Sequence, residues 1–400
     1  MKKVILSIIL ILVLVGSGLS YFYQRNLERA VFIGSLFTGV EQFENLNRLA
    51  EIYPVSTMIA SPRPFEFKEG SLIELPNSFW YKDSQIDVQT FLSETDTSSL
   101  LVLEDGEIRF ETYMLTGGRY VNWMSMSVAK SFIATGIGIA VDENLIDIYL
   151  PITDYVPSLL GSAYDSVQIK DILQMSSGAT WNENYNDPNS DVMRLARIMA
   201  IGGSIDEFVA TLERGTKPGT LNHYNSTDTQ ALGMLLARAT GKSVSEYLTE
   251  KVWHPLGMES DGYWLVDDHN VELAFGGLNA TARDYAKLGE LYRLNGAWIG
   301  KQIVSEKWIQ EATTPDAPHV MPGVNEDYPL GYGYQWWIPE SSEREFLAIG
   351  VYNQFIYVNP TRKMVIVKLS AFSDYATSLD ESAYREIETI AFFREVAKQL

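Results

Sequence analysis

The run Ser131–Val141 (Ser-Phe-Ile-Ala-Thr-Gly-Ile-Gly-Ile-Ala-Val) is apolar nearly all round and follows directly on a lysine, Lys130. A helix that is apolar on every face offers nothing to water and is buried. The chain must therefore wrap other elements around a central helix. Lys130 enters that core at the helix head, where an amine is costly unless it has a partner or a task. Three residues earlier stands Ser127, giving the one Ser-x-x-Lys spacing in the chain. On a helix that spacing sets hydroxyl and amine on one face, a turn apart. A serine hydroxyl is a weak nucleophile until a neighbouring base takes its proton. A lysine whose pKa is lowered by burial can be that base. A helix beginning at Ser127 would also aim free N–H groups at developing negative charge. Alone the motif is weak, since a chain this long holds roughly one or two by chance. The bland reading is a surface lysine beside an N-cap serine, and the apolar helix that follows argues against it.

The remaining composition removes whole classes of chemistry. There are no cysteines, which excludes disulfides, zinc–thiolate sites and thiol nucleophiles. The four histidines, His223, His254, His269 and His319, form no ligand-spaced pair, so neither metal nor cofactor is expected. The formal charge of −20 repels phosphate and argues against nucleic acid as a partner. No Gly-x-Ser-x-Gly elbow occurs, which disfavours an α/β-hydrolase. At the N-terminus, Met1-Lys2-Lys3 precedes an uncharged run from Val4 to Tyr23. Such a run is long enough to cross a bilayer, and the lysines favour a cytoplasmic start. We expect residues 1–23 to be a membrane anchor or signal peptide, with the remainder exported. Oligomeric state is open.

Turn residues and periodicity divide the rest. Residues 24–75 are expected to be an irregular lead-in with one or two short helices, and 76–400 the main domain. Ser99 to Glu111 predicts a hairpin about Asp105-Gly106. The stretch 125–315 is helix-rich. It includes a short helix at Lys170–Met175 closed by Ser176-Ser177-Gly178, an amphipathic helix Thr227–Thr240 ended by Gly241, and another from Thr281. Strand signals return at Tyr334–Ile338, Phe346–Ile349, Gln354–Val358 and Met364–Leu369, with a closing helix in 380–400. Strands, a long helical insertion, strands and a helix predict an α+β fold in which early and late strands share one antiparallel sheet.

Several ordered stretches resemble the penicillin-recognising serine hydrolases, in the class C β-lactamase-like branch and nearest its 6-aminohexanoate-dimer hydrolase and carboxylesterase subgroup. Trp123-Met-Ser-Met-Ser127-Val-Ala-Lys130 is similar to the family's nucleophile helix, and Ile172–Gly178 to the turn after it. Trp181-Asn-Glu-Asn-Tyr185-Asn-Asp-Pro188 is similar to a loop carrying an active-site tyrosine. Pro218–Ser226 contains Tyr224-Asn-Ser226 where the family has Tyr-x-Asn or Tyr-x-Ser. Trp253–Met258 and Gly276–Asp284 match structural stretches, and Ala348-Ile-Gly350-Val351 falls at the third motif.

The resemblance implies a β-lactamase/transpeptidase-like fold, an antiparallel sheet flanked by helices with an inserted, mostly helical part. It implies Ser127 as nucleophile, Lys130 and Tyr224 as proton acceptors sharing one proton, and the N–H groups of Ser127 and Val351 as an oxyanion site. Gly350 would permit close backbone approach at the strand edge. Tyr185 and Ser226 would touch substrate or Lys130. A nearby lysine ammonium is expected to lower the Tyr224 pKa. Ala348 departs from the pattern, standing where β-lactamases and peptidases carry Lys or His to hold a substrate carboxylate. Asn353 stands where subgroup members often carry Gly. The expectation is a hydrolase of esters or small linear amides, working through an acyl-enzyme on Ser127 with no cofactor. The alternatives are a β-lactamase or DD-peptidase, and a noncatalytic sensor on the same fold.

Overall fold

The computed structural model describes residues 16–17, 20, 23–32, 42–325, 328–378 and 380–400. The apolar run Val4–Tyr23 lies almost wholly outside them, and no helix among the described residues is long and apolar enough to cross a membrane.

An eight-stranded sheet forms the centre. Its strands are β1 (Lys68–Glu69), β2 (Thr97–Glu104), β3 (Glu107–Tyr113), β4 (Gly331–Tyr332), β5 (Trp337–Ile338), β6 (Phe346–Gly350), β7 (Gln354–Asn359) and β8 (Met364–Ser370). They lie in the order β4-β5-β6-β7-β8-β2-β3-β1. Every pairing is antiparallel except β1 on β3, a two-residue parallel edge. Early and late strands do meet, with Leu100 opposite Lys368 and Val102 opposite Ile366. The β2–β3 turn places both Asp105 and Gly106 at positive φ, as a two-residue type I′ hairpin requires. The expected strand at Tyr334–Ile338 shrinks to Trp337–Ile338, because Gln335 takes a left-handed φ and gives its carbonyl to Ser131.

Alternation along the central strands feeds two cores. Leu101, Leu103, Ile356, Val365 and Val367 face the helical insertion. Leu100, Val102, Phe355, Tyr357 and Ile366 face the closing helix. A residue step of two puts successive side chains on opposite faces, so a strand buried on both sides reads as an unbroken apolar run.

The longest α-helices among the described residues 42–400 are α1 (Ala129–Asp142), α2 (Asp191–Ile201), α3 (Ser226–Thr240), α4 (Ala282–Arg293) and α5 (Glu386–Val396). α1 is the central helix that the sequence demanded, buried from Ala129 to Ala140. Its glycines are steric necessities: a Cβ on Gly138 would lie 2.4 Å from the Trp308 ring nitrogen, and one on Gly136 2.9 Å from Leu248. Asn225 caps α3 by accepting from the Thr227 N–H, and Gly241 ends it in the left-handed conformation.

A second sheet has no counterpart in the sequence reading. Val55–Met58, Gly262–Leu265, Leu278–Ala280 and Trp123–Met124 form four short antiparallel strands in that order. Residues from the 24–75 stretch thus enter both sheets. Within the same stretch, helical residues 23–32 are tied to the body. Arg25 and Arg29 pair with Asp268 at 3.2 and 2.9 Å, and Asn26 donates to the Ile201 carbonyl.

Candidate active site

The second sheet positions Ser127. Trp123–Met124 pairs with Leu278–Ala280, the Ser125 N–H donates to the Leu278 carbonyl, and the Tyr285 hydroxyl donates to the Trp123 carbonyl. The chain then turns sharply, and Met126 holds φ at +48°, a strained value for a side chain of its size. Met126–Val128 is one 3₁₀ turn and the α-helix begins at Ala129, so Ser127 sits just ahead of the helix instead of opening it.

Lys130 is 2% exposed. Its Nζ lies 3.1 Å from Ser127 Oγ, 3.3 Å from Ser226 Oγ and 2.7 Å from the Phe275 carbonyl oxygen. All three neighbours are uncharged. Burial lowers its pKa to about 7, although Glu183 and Asp228 pull the other way. An amine that is half neutral near pH 7 beside a serine hydroxyl is a competent general base.

Tyr224 is half-buried, stacked on Trp337 with ring centroids 5.3 Å apart and set edge-on to Tyr332. Here the sequence reading is corrected. Burial, with Tyr332 and Glu183 adding to it, raises the Tyr224 pKa well above its ordinary value, and a hydrogen bond with Ser127 does not offset this. The lysine amine lies over the ring face, 5.2 Å from its centroid, and is itself largely discharged. Tyr224 is a neutral phenol that can donate, and Lys130 is the group made basic.

The strand edge completes the arrangement. Ala348 and Gly350 alternate with Leu347 and Ile349, so they face the helical side. A Cβ on Gly350 would lie 2.6 Å from the Ser125 carbonyl oxygen and 3.0 Å from Ser127 N. Only glycine lets β6 reach the nucleophile's N–H so closely. The β6–β7 turn that follows holds Tyr352 and Asn353 at φ of +64° and +67°, a region that favours glycine. Gln354 pins this turn through the carbonyls of Tyr352 and Ser370, at 3.0 and 2.6 Å. Val351 is half-buried beside it. Ala348 is buried and brings no cation.

Tyr185 reaches the site, but its hydroxyl donates to Glu183 at 2.9 Å, not to Ser127 or Lys130. Burial raises its pKa well above the usual value. Glu183 is the residue that sequence reasoning passed over. Its carboxylate also accepts from the Ser226 hydroxyl at 2.7 Å, the Ser226 N–H at 3.1 Å and the Trp181 indole N–H. The signal was available: Trp181, Glu183 and Tyr185 alternate in one short loop, which points them to one side. Among the described residues no cluster of acidic and histidine side chains could hold a metal.

The family stretches Trp253–Met258 and Gly276–Asp284 prove to be structural. Asp284 accepts from the N–H groups of Glu259 and Ser260 at 2.7 and 3.1 Å and pairs with buried Lys287 at 3.0 Å.

Comparison with known proteins identifies the family and the fold. A family model described as Beta-lactamase matches residues 94–389. The 6-aminohexanoate-dimer hydrolase of Paenarthrobacter ureafaciens is 33% identical over 298 residues, 72% of this chain and 76% of that protein. A Bacillus anthracis protein carrying the provisional name 6-aminohexanoate-dimer hydrolase superposes with a TM-score of 0.82 at 22% identity, over 91% of this chain and 96% of its own. EstCE1, a hydrolase with promiscuous acyltransferase activity, superposes with a TM-score of 0.62 at 14% identity, over 77% and 96%. The last two likenesses speak for the fold.

Proposed function

Because the chain belongs to the β-lactamase family and is a hydrolase of the ester- and amide-cleaving kind, we propose that Ser127 is its nucleophile and small linear amides or esters its substrates. The observation that carries the reading is Lys130 Nζ, buried, 3.1 Å from Ser127 Oγ and without a carboxylate in contact. Neutral Lys130 takes the Ser127 proton as Oγ attacks the carbonyl carbon. The N–H groups of Ser127 and Val351 hold the oxygen that becomes negative. As the tetrahedral species collapses, the Lys130 ammonium returns the proton to the departing oxygen or nitrogen, and the Tyr224 phenol hydrogen-bonds that atom. Lys130, neutral again, then takes a proton from the water that attacks the acyl-Ser127 ester and passes it to Ser127 Oγ as the acid leaves.

Ala348 supports linear amides and esters over penicillins, since no cation waits at that strand for a substrate carboxylate. The amide name of the Paenarthrobacter relative supports amides in particular. The uncharged run Val4–Tyr23 behind two lysines supports export, with the body held at the outer face of the membrane or released by cleavage. The deciding experiment treats the exported chain and its Ser127→Ala variant with a p-nitrophenyl acyl ester series, linear amides and a fluorescent penicillin. Ester and amide turnover that vanishes in S127A is expected. S127A retaining turnover removes the nucleophile assignment, and stable penicillin labelling moves the reading to a cell-wall peptidase.

A further inference from the structure

We propose that Glu183 is a positioning residue that sets the direction of the proton path from Ser127 into Lys130. The inference rests on the acyl-enzyme reading above and assigns Glu183 no contact with substrate.

The argument is a count of donors and acceptors. An ionised carboxylate only accepts. The single hydroxyl hydrogen of Ser226 therefore goes to Glu183, 2.7 Å away. That leaves Ser226 Oγ with lone pairs alone to offer Lys130 at 3.3 Å. The Phe275 carbonyl, 2.7 Å from Nζ, is likewise only an acceptor. A neutral lysine amine has two hydrogens and one lone pair. With both hydrogens drawn to Phe275 and Ser226, the lone pair is left for Ser127. Ser127, Lys130, Ser226 and Glu183 then form one chain of hydrogen bonds, all donating the same way.

Glu183 is itself held firmly. It receives the Tyr185 hydroxyl, the Trp181 indole and the Ser226 N–H, the first residue of α3. A glutamine there keeps the shape but offers one accepting atom, so at least one donor loses its partner and the Ser226 hydrogen is free to turn toward Lys130. The charged and titratable groups that bear on Lys130 are Glu183 from the loop before α2, Asp228 on α3 and Tyr224 before α3. Asp228 takes the Ser177 and Tyr164 hydroxyls at 2.7 and 2.9 Å, and burial raises its pKa to about 7. Glu183 is thus the carboxylate that a hydrogen-bond chain through Ser226 links to the base, and its negative charge favours the ammonium.

The test is the pH dependence of Ser127 labelling by a fluorophosphonate. Ser127 Oγ bonds to phosphorus, the P–F bond breaks, fluoride leaves and the proton ends on Lys130. This reports activation of the nucleophile whatever the natural substrate is. In the full chain, Glu183→Gln is expected to lower the acid-side midpoint by about one pH unit and the plateau rate about tenfold. An unchanged midpoint overturns the proposal, because a merely structural glutamate would alter rate alone. Ser226→Ala cuts the same path at its middle, and combining it with E183Q should cost no more plateau rate than the larger single effect. Rates that multiply overturn it, as does an S226A enzyme that labels at the wild-type rate, even if E183Q does not fold. Wild-type protein that is not labelled at Ser127 at all refutes the acyl-enzyme reading instead.

Discussion

Two lysines, Lys130 at the head of α1 and Lys287 on α4, are almost equally hidden, at 2% and 0% exposure. Their surroundings differ in one respect. Lys287 Nζ is 3.0 Å from Asp284 and 3.3 Å from Glu259, with the Gly257 carbonyl at 2.8 Å. Lys130 has a hydroxyl, a second hydroxyl and a carbonyl and, among the described residues, no carboxylate within ion-pair distance. Burial alone does not make a base. A buried ammonium given a carboxylate becomes part of the scaffold, joining the Trp253–Met258 and Gly276–Asp284 stretches. Lys130, given only dipoles, has its pKa lowered to about 7 and on the proposed reading serves as the base.

Exchanging each lysine for methionine tests that contrast most severely. Lys130→Met should cut ester turnover at least about a thousandfold while leaving a folded protein no less stable in urea. Lys287→Met should instead cost about 3–5 kcal/mol of stability, since Asp284 stays buried without its cation, and folded molecules should keep their turnover. Collapse of K130M, or a stable K287M without activity, would break the contrast. Next in size, Gly350→Ala should lower kcat about a hundredfold with KM little changed, because the new methyl pushes β6 away from Ser127 N.

The smallest effects are those of pH. Wild-type kcat/KM should rise tenfold per unit below a midpoint near 7 and level off above it, following the neutral form of Lys130. No fall from Tyr224 should follow up to pH 9, since its pKa is raised. Stability sharpens the same point. The folded Lys130 pKa of about 7 lies below its unfolded value of about 10.4. The buried charge therefore penalises wild type fully below pH 7, and the penalty fades as pH rises toward the unfolded value. The stability lead of K130M should shrink across that window, and a lead independent of pH would mean that folding leaves the Lys130 pKa unshifted.

What could be read beforehand followed from local chemistry. α1, α3 and the β2–β3 hairpin declare themselves through an unbroken apolar run, amphipathic spacing with a terminal glycine, and Asp-Gly. Ser127, Lys130 and Tyr224, which the structure brings together, were singled out because a spacing and several ordered stretches agreed. The second sheet was invisible, since strands of two to four residues drawn from distant parts of the chain leave no periodicity. The direction of the Tyr224 shift was missed because it depends on Trp337, Tyr332 and Glu183, which no spacing brings together. Glu183 went unremarked for a related reason: its partner Ser226 lies 43 positions further on.

Gly350 carries a further consequence, in the order of synthesis. Ser127 and Lys130 are translated long before β6, and the strand that must lie against the Ser127 N–H pairs only with β5 and with β7, which is later still. A growing chain can therefore hold a serine and its base with no finished place for a carbonyl oxygen. On the proposed reading the reactive edge is assembled last, and a copy that ends before β6 should carry Ser127 and Lys130 without turnover.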